Sequence, residues 1–311
     1  MSSHTAALEG IVAIPITPFS EGRVDDDAYR IILDRILDAG VTTLTPNGNT
    51  GEFYALTAEE RRAVMEACAE HTRGRATLVA GVGFDTATAI ADARHAAEHG
   101  AEFIMIHQPV HPYVSREGWI QYHAAIADAV PELGVVLYVK TPRVDGSMIR
   151  ELVDRSPNVA GVKYALPDPV LFAAVRESAP EIVWIAGLAE PYALSYFAHG
   201  ATGFTSGLVN VLPELSVALL TALRAGDFAV ARELESRIAE FERLRGADGS
   251  ADNVSIVKEA LAQLGVVARD VRPPSSPVSE AAAARVGAIL ADWARDFDLA
   301  AGAVGTAGAA R

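Results

Sequence analysis

Short apolar runs rich in β-branched residues alternate along the chain with longer amphipathic stretches. The runs are IVAIPI from 11, VTTLTP from 41, ATLVAG from 76, EFIMIH from 102, VVLYV from 135, VAGVKY from 159, IVWIAG from 182 and ATGFTS from 201. Each reads as a strand. Between most of them lie segments with helical spacing and polar starts, such as DDDAYRIILDRILDAG, TAEERRAVMEACAEHTRG and DTATAIADARHAAEHG, several ending in glycine. Asp25 and Thr57 read as N-caps, Thr57 with Glu60 at capping-box spacing. Strands and helices alternating at steps of about 20 to 35 residues indicate βα units, because parallel neighbours need a crossover of about a dozen residues. Eight such units predict an α/β fold of the closed (β/α)8, or TIM, barrel kind. A doubly wound open sheet is the competitor, but its phosphate loop is missing: GVGFDTAT has Gly81 and Gly83, then Thr86 where the third glycine belongs.

Strand signals stop after residue 210, and helical patterns at 212–245, 254–264 and 279–297 predict a C-terminal helical region. The expected organisation is a flexible segment 1–9, a barrel over 10–211, C-terminal helices over 212–300 and a disordered small-residue tail over 301–311.

Composition narrows the function. The 311 residues are 50% apolar and 21% charged, which places the chain in the globular class. A net charge of −14 argues against a nucleic-acid surface. Cys68 is the only cysteine and falls in a helical pattern, so it reads as a buried structural thiol with no disulfide to form. The N-terminus lacks a basic-then-apolar signal region and no apolar run approaches about 18 residues, so the expected location is cytoplasmic, away from membranes.

Only three of the 26 basic residues are lysines: Lys140, Lys163 and Lys258. Lys163 closes the apolar strand VAGVKY, whose alternation turns Val159, Gly161 and Lys163 to one face. Inside a barrel that face is desolvated, which lowers an amine's pKa, and only the neutral amine is a nucleophile. At an ordinary pKa of about 10.4, only a few molecules in ten thousand are neutral at pH 7. The bland alternative is a lysine paired with a carboxylate at the strand end. Tyr138 ends the preceding strand, about 4.8 Å away, where its phenol can relay a proton or simply bond the backbone. In TPNGNTGEF, Gly48 and Gly51 bracket Asn49 and Thr50 in a tight loop that is either an ordinary turn or an N–H-lined anion nest. The histidine pairs His107/His111 and His95/His99 lack an evident third ligand, and no metal site is expected.

Taken together, TPF at 17–19, GNTGE at 48–52, Tyr138 and GVKYA at 161–165 resemble the dihydrodipicolinate synthase and N-acetylneuraminate lyase family, with the order and spacing kept from about residue 10 to 275. The resemblance implies a (β/α)8 barrel, a homotetramer built from dimers, and a lysine imine formed with pyruvate or another 2-oxo acid. By it, Lys163 is the imine lysine, Tyr138 the proton-transfer tyrosine, and Gly48, Asn49, Thr50 and Gly51 the carboxylate loop. It also implies substrate contacts from Arg143 and Thr205. The iminium is itself the electron sink, so the implied chemistry uses no metal or organic cofactor.

Three departures bear on the substrate. Asn49 replaces the first hydroxyl residue of the synthase pattern G-T-T-G-E. The family's P-Y-Y, whose second tyrosine enters the neighbouring subunit's site, reads PVH and puts His111 there as an acid or base. The family's Y-N-x-P reads YVKTP. The expected function is therefore a Schiff-base lyase acting on a 2-oxo acid by aldol-type chemistry or dehydration. GFTSGLVNVLPEL and NVSIVKEAL also look similar to the 5-dehydro-4-deoxyglucarate dehydratase branch. A non-catalytic 2-oxo acid binding protein is the alternative of another class.

Overall fold

The computed structural model describes residues 5–297 and 299. Eight parallel strands close a barrel: β1 (Ile11–Ala13), β4 (Thr43–Leu44), β5 (Thr77–Val82), β6 (Phe103–Ile106), β7 (Gly134–Val139), β8 (Val159–Tyr164), β9 (Val183–Ala186) and β10 (Gly203–Ser206). Each predicted strand run supplies one of them. A small antiparallel hairpin, β2 (Phe19–Ser20) and β3 (Arg23–Val24), lies outside the barrel and turns through Glu21 and Gly22 at positive φ.

The helices that follow the barrel strands are α1 (Asp26–Asp38), α2 (Ala58–Thr72), α3 (Thr86–Glu98), α4 (Arg116–Asp128), α5 (Gly146–Arg155), α6 (Pro169–Arg176), α7 (Glu190–Ala198) and α8 (Pro213–Ala225). Beyond them come α9 (Phe228–Ser250), α10 (Asn253–Gln263) and α11 (Glu280–Trp293). Asp25 caps α1 through the Ala28 amide, and Thr57 with Glu60 forms a reciprocal capping box on α2. Among the described residues no helix is long and apolar enough to cross a membrane. Cys68 is buried against Tyr29, its thiol pushed up to about 12 by burial.

The strands present two apolar faces. Val12, Val79, Met105, Val136 and Ile185 fill the barrel, whereas Leu44, Ile104, Leu137, Val162 and Trp184 pack outward against the helices. On β8 the expected alternation fails at Val159. The register with β7 slips between Val135 and Val136, so that Ala160 is an extra residue facing the barrel and Val159 packs outward. Past this bulge, Gly161 and Lys163 pair with the barrel-facing residues Val136 and Tyr138.

Two boundaries move. The pattern at 212–245 is two helices, because Gly226 takes the left-handed C-cap of α8 and Asp227 caps α9. As the helix after β10, packed on β1 and α7, α8 completes the eighth βα unit, so the barrel extends to about residue 225 rather than 211. The expected flexibility of 1–9 does not hold for its second half. Thr5–Leu8 form a 3-10 turn whose fully buried Leu8 closes the barrel interior against Ala160 and Val183. The tail 301–311 and residues 1–4 lie outside the described residues. Leu8→Ala should lower the unfolding free energy by about 2 to 5 kcal/mol in urea titration, as for a buried core leucine. A loss below about 0.5 kcal/mol would show that the N-terminal turn does not close the core.

Candidate active site

Lys163 ends β8 beside Tyr138 of β7, the two residues in register. The lysine is 4% exposed, and its Nζ lies 4.2 Å from the centroid of the Tyr138 ring. Among the described residues it forms no ion pair, in contrast to Lys258, so the strand-end carboxylate of the bland alternative is not there. Desolvation, reinforced by the nearby Lys140 charge, lowers the Lys163 pKa to about 7. Gly187, next to β9, leaves room for the lysine stem: a Cβ there would stand 2.9 Å from Lys163 Cγ.

Burial holds the Tyr138 phenol far above its ordinary pKa, opposed by a hydrogen bond from Asn49 Nδ2 at 3.3 Å. At pH 7 this phenol is protonated and can donate. His107 stands behind it, stacked on Phe53 at 4.1 Å. Its Nε2 donates to the Asn47 carbonyl at 2.9 Å, and burial lowers its pKa to about 3. This neutral, packed histidine is not paired with His111.

The loop after β4 holds two 3-10 turns, Asn49–Gly51 and Phe53–Ala55, joined by Glu52 in the left-handed region at φ 58°. Gly48 is required at its start, since a Cβ there would lie 2.4 Å from Ile14 Cγ2. Internal bonds use the amides of Gly51, Glu52 and Phe53, leaving those of Asn49 and Thr50 at the open start of the turn. Thr17 Oγ1 donates to the Gly51 carbonyl at 2.8 Å and ties the loop to the TPF segment.

The C-terminal region holds the other end of this loop. Lys258 of α10 is buried against Glu52, and the Arg272 amide donates to Glu52 Oε1 at 2.9 Å. Arg272 also clasps both oxygens of Glu60 at 2.6 Å. Both cations stack on Phe19, at 4.0 and 4.2 Å from its centroid. Sequence reasoning missed this cluster because Glu52 and Lys258 are 206 positions apart.

A cavity of about 980 Å³ opens over these groups. Asn49, Thr50, Tyr138, Lys163 and Thr205 line it; Gly48 and Gly51 shape the loop without lining it. His111 and Arg143 do not line it within this chain. The stretch between β6 and α4 runs outward, leaving His111 exposed with its ring 5.7 Å from that of the exposed Tyr113. Arg143 is likewise exposed, in the turn before α5, its amide directed to Thr141 Oγ1. Below the cavity, buried Glu190 accepts from Ser216 at 2.6 Å and from Ser206, while burial and the Glu242 charge raise its pKa to about 7. On the outer helices, Glu66 of α2 stands beside the His95/His99 pair, with one donor atom from each of the three within 4.8 Å of the others and His95 Nε2 3.1 Å from Glu66 Oε1.

The Dihydrodipicolinate synthetase family model matches residues 7–292. The crystal structure of dihydrodipicolinate synthase from Bacillus clausii superimposes with a TM-score of 0.90 at 40% identity, covering 93% of this chain and 99% of that one. A prophage protein of the dihydrodipicolinic acid synthase family from E. coli K12, solved in complex with pyruvate, superimposes with a TM-score of 0.84 at 27% identity, covering 91% and 98%. A probable 5-dehydro-4-deoxyglucarate dehydratase from Methylobacterium radiotolerans is 33% identical over 292 residues, 91% of this chain and 94% of that protein.

The depressed Lys163 pKa has a thermodynamic consequence. Below about pH 7 the native state holds an ammonium in a site that favours the amine, whereas the unfolded lysine stays charged up to about pH 10.4. Between these values the native state binds fewer protons, so the penalty shrinks as pH rises. Lys163→Met should be more stable than the parent at pH 6, the gap narrowing by about 1.4 kcal/mol per pH unit between pH 7 and 10. A gap independent of pH would contradict the burial of an uncompensated amine.

Proposed function

We propose that this chain, which belongs to the Dihydrodipicolinate synthetase family and is a Schiff-base lyase of that family, uses Lys163 as its imine-forming amine on pyruvate or a related 2-oxo acid. The observation that carries the reading is a buried, unpaired lysine with a pKa near 7 against a protonated tyrosine. About half of such an amine is neutral at pH 7.

The neutral Nζ adds to the carbonyl carbon C2, and the carbonyl oxygen takes a proton from the Tyr138 hydroxyl. The phenolate recovers a proton from the newly charged nitrogen and gives it to the carbinolamine hydroxyl, which leaves as water while the freed nitrogen lone pair forms the C=N bond. The Asn49 and Thr50 amides and the Thr50 hydroxyl hold the C1 carboxylate. With the positive iminium adjacent, the C3–H bond is acidified, and its proton passes to the Tyr138 phenolate to give an enamine. The enamine carbon then attacks a carbonyl whose oxygen takes the Tyr138 proton, or the enamine electron pair expels a C4 hydroxyl that takes that proton and leaves as water. Hydrolysis of the imine returns Lys163.

His111 and Arg143 enter this reading differently. His111 sits with exposed Val110 and Tyr113 on one outward loop, an apolar surface suited to a second copy of the chain. The proposed assembly is a homotetramer of dimers in which that loop approaches a neighbouring site. Sedimentation velocity should give a tetramer, and a monomer at micromolar concentration would remove any role for His111. Arg143, exposed in the turn between β7 and α5, is proposed to meet a substrate carboxylate when that turn closes over the cavity.

A second reading, the sugar-acid dehydratase, is favoured by Asn49. Its amide bonds the Tyr138 hydroxyl where the synthase pattern has a hydroxyl residue, and an amide does not shuttle a proton as a hydroxyl does. Dehydration of 5-dehydro-4-deoxyglucarate, without condensation of pyruvate with aspartate semialdehyde, would select it.

Pyruvate with borohydride should leave a reduced adduct on the Lys163 peptide by mass spectrometry, with the trapping rate rising through about pH 7. In Lys140→Gln the midpoint should move upward, by up to about one unit, because the like charge that favours the neutral amine is gone. Failure of every 2-oxo acid in a panel to label Lys163 would overturn the assignment.

A further inference from the structure

The sequence shows no third donor for the His95/His99 pair, but the fold brings one to it from another helix. His95 and His99 are four apart on α3, His99 as its C-cap, so both stand on one face with ring centroids 4.2 Å apart. Helices α2 and α3 pack side by side on the outer ring, and Glu66 of α2 faces the pair. One donor atom from each of the three lies within 4.8 Å of the others. None of the three lines the cavity over Lys163.

The donors are set up for a cation. His99 Nδ1 lies 2.8 Å from the His95 carbonyl, which only accepts, so Nδ1 carries the proton and the Nε2 lone pair is left for a ligand. His95 Nε2 stands 3.1 Å from Glu66 Oε1, yet it is a buried nitrogen with no aligned hydrogen-bond partner among the described residues. A neutral nitrogen lone pair and a carboxylate oxygen repel at that distance unless a proton or a metal ion joins them. Among the described residues Glu66 pairs with no arginine or lysine; Arg62, one turn before it, approaches Asp92 instead, at 4.0 Å. The other outer histidine of α2 differs in both respects. His71 meets Asp34 at 2.9 Å without a second histidine, and the same Asp34 oxygen already takes Arg75.

Geometry is consistent with a tetrahedral ion. Zinc with nitrogen and oxygen donors at about 2.0 to 2.2 Å sets donor–donor edges of about 3.3 to 3.6 Å. The His95–Glu66 separation is already near such an edge, and Glu66 and His99 are exposed side chains that need only rotate to shorten the others.

We infer that Glu66, His95 and His99 form a binding site for a divalent transition-metal ion of the zinc class, which clips α2 to α3 and leaves its fourth position to water. Two imidazoles select such an ion over Mg²⁺ and Ca²⁺, which take oxygen ligands. The net charge of −14 that repels an anionic substrate attracts this cation. The site is separate from the proposed imine chemistry and does not rest on it.

Calorimetric titration of the chelator-stripped full chain with Zn²⁺ alone should give one ion per chain with a Kd of about 1 micromolar or below. Glu66→Gln and His99→Ala, both at exposed positions, should each weaken binding about tenfold or more, while His71→Ala leaves it unchanged. Zn²⁺ at about 100 times its Kd should raise the Tm of the parent by about 4 °C and that of His99→Ala by much less. The Tm values without zinc show that the variants are folded. Borohydride trapping at Lys163 should proceed equally in stripped and zinc-loaded protein, so failure of the imine reading leaves this site untouched. Absence of zinc binding, binding that survives both substitutions, or trapping that requires the ion would overturn the assignment.

Discussion

The proposed chemistry depends on burying one amine without giving it a counter-ion. Charged groups are almost never taken out of water unpaired, and the three lysines show the alternatives. Lys140 stays exposed. Lys258 is fully buried but bound to Glu52, and even so desolvation lowers its pKa to about 8. Lys163 is buried with a tyrosine ring and a like charge for neighbours, and it resolves the conflict by losing its proton near neutrality. The bulge at Ala160 matters here, because it sets which residues of β8 face inward beyond it and aligns Lys163 with Tyr138.

The barrel alone does not complete the site. The loop proposed to hold the substrate carboxylate is fixed at its start by Gly48 against Ile14, in its middle by Thr17 and at its end by Glu52, whose carboxylate partners Lys258 and Arg272 come from the C-terminal region. The same region supplies the far wall of the cavity. The loop at 48–52 and the helices of the C-terminal region that line the cavity are therefore one mechanical unit, joined through a buried ion pair. That arrangement also answers the electrostatic problem set by the composition. An acidic chain repels an anionic substrate at long range, while the cavity wall carries the local cation excess that binding requires.

Much of the barrel was legible because its signals are local. Eight apolar runs, the Asp25 cap and the Thr57–Glu60 box each lie within a few residues, and lysine scarcity singled out Lys163 without any structural knowledge. The hairpin at 19–24 was also local, its Glu21–Gly22 turn being the available signal, and was passed over. The end of the barrel was misplaced because α8 has no strand after it to mark the unit as complete. Register slips such as Ala160 leave no trace in the hydrophobic pattern of a strand buried on both faces. The joins of Glu52 to Lys258, Glu66 to His95 and Arg245 to Asn253 depend on chain reversals that the pattern of apolar positions does not encode. His111 and Arg143 illustrate the limit of carrying roles by alignment: each occupies the expected position in sequence, yet neither reaches the cavity of its own chain.

The central claim is that the Lys163 amine titrates near neutrality in the free protein. Competitive labelling of the folded protein with a trace amine-reactive reagent across a pH series, read peptide by peptide, measures this directly, with Lys140 as an internal exposed standard. The account predicts that Lys163, corrected for accessibility, reaches half-maximal reactivity near pH 7, about three units below an ordinary lysine. A midpoint near 10 would show that the amine remains charged where it is buried, and would contradict the basis of the mechanism.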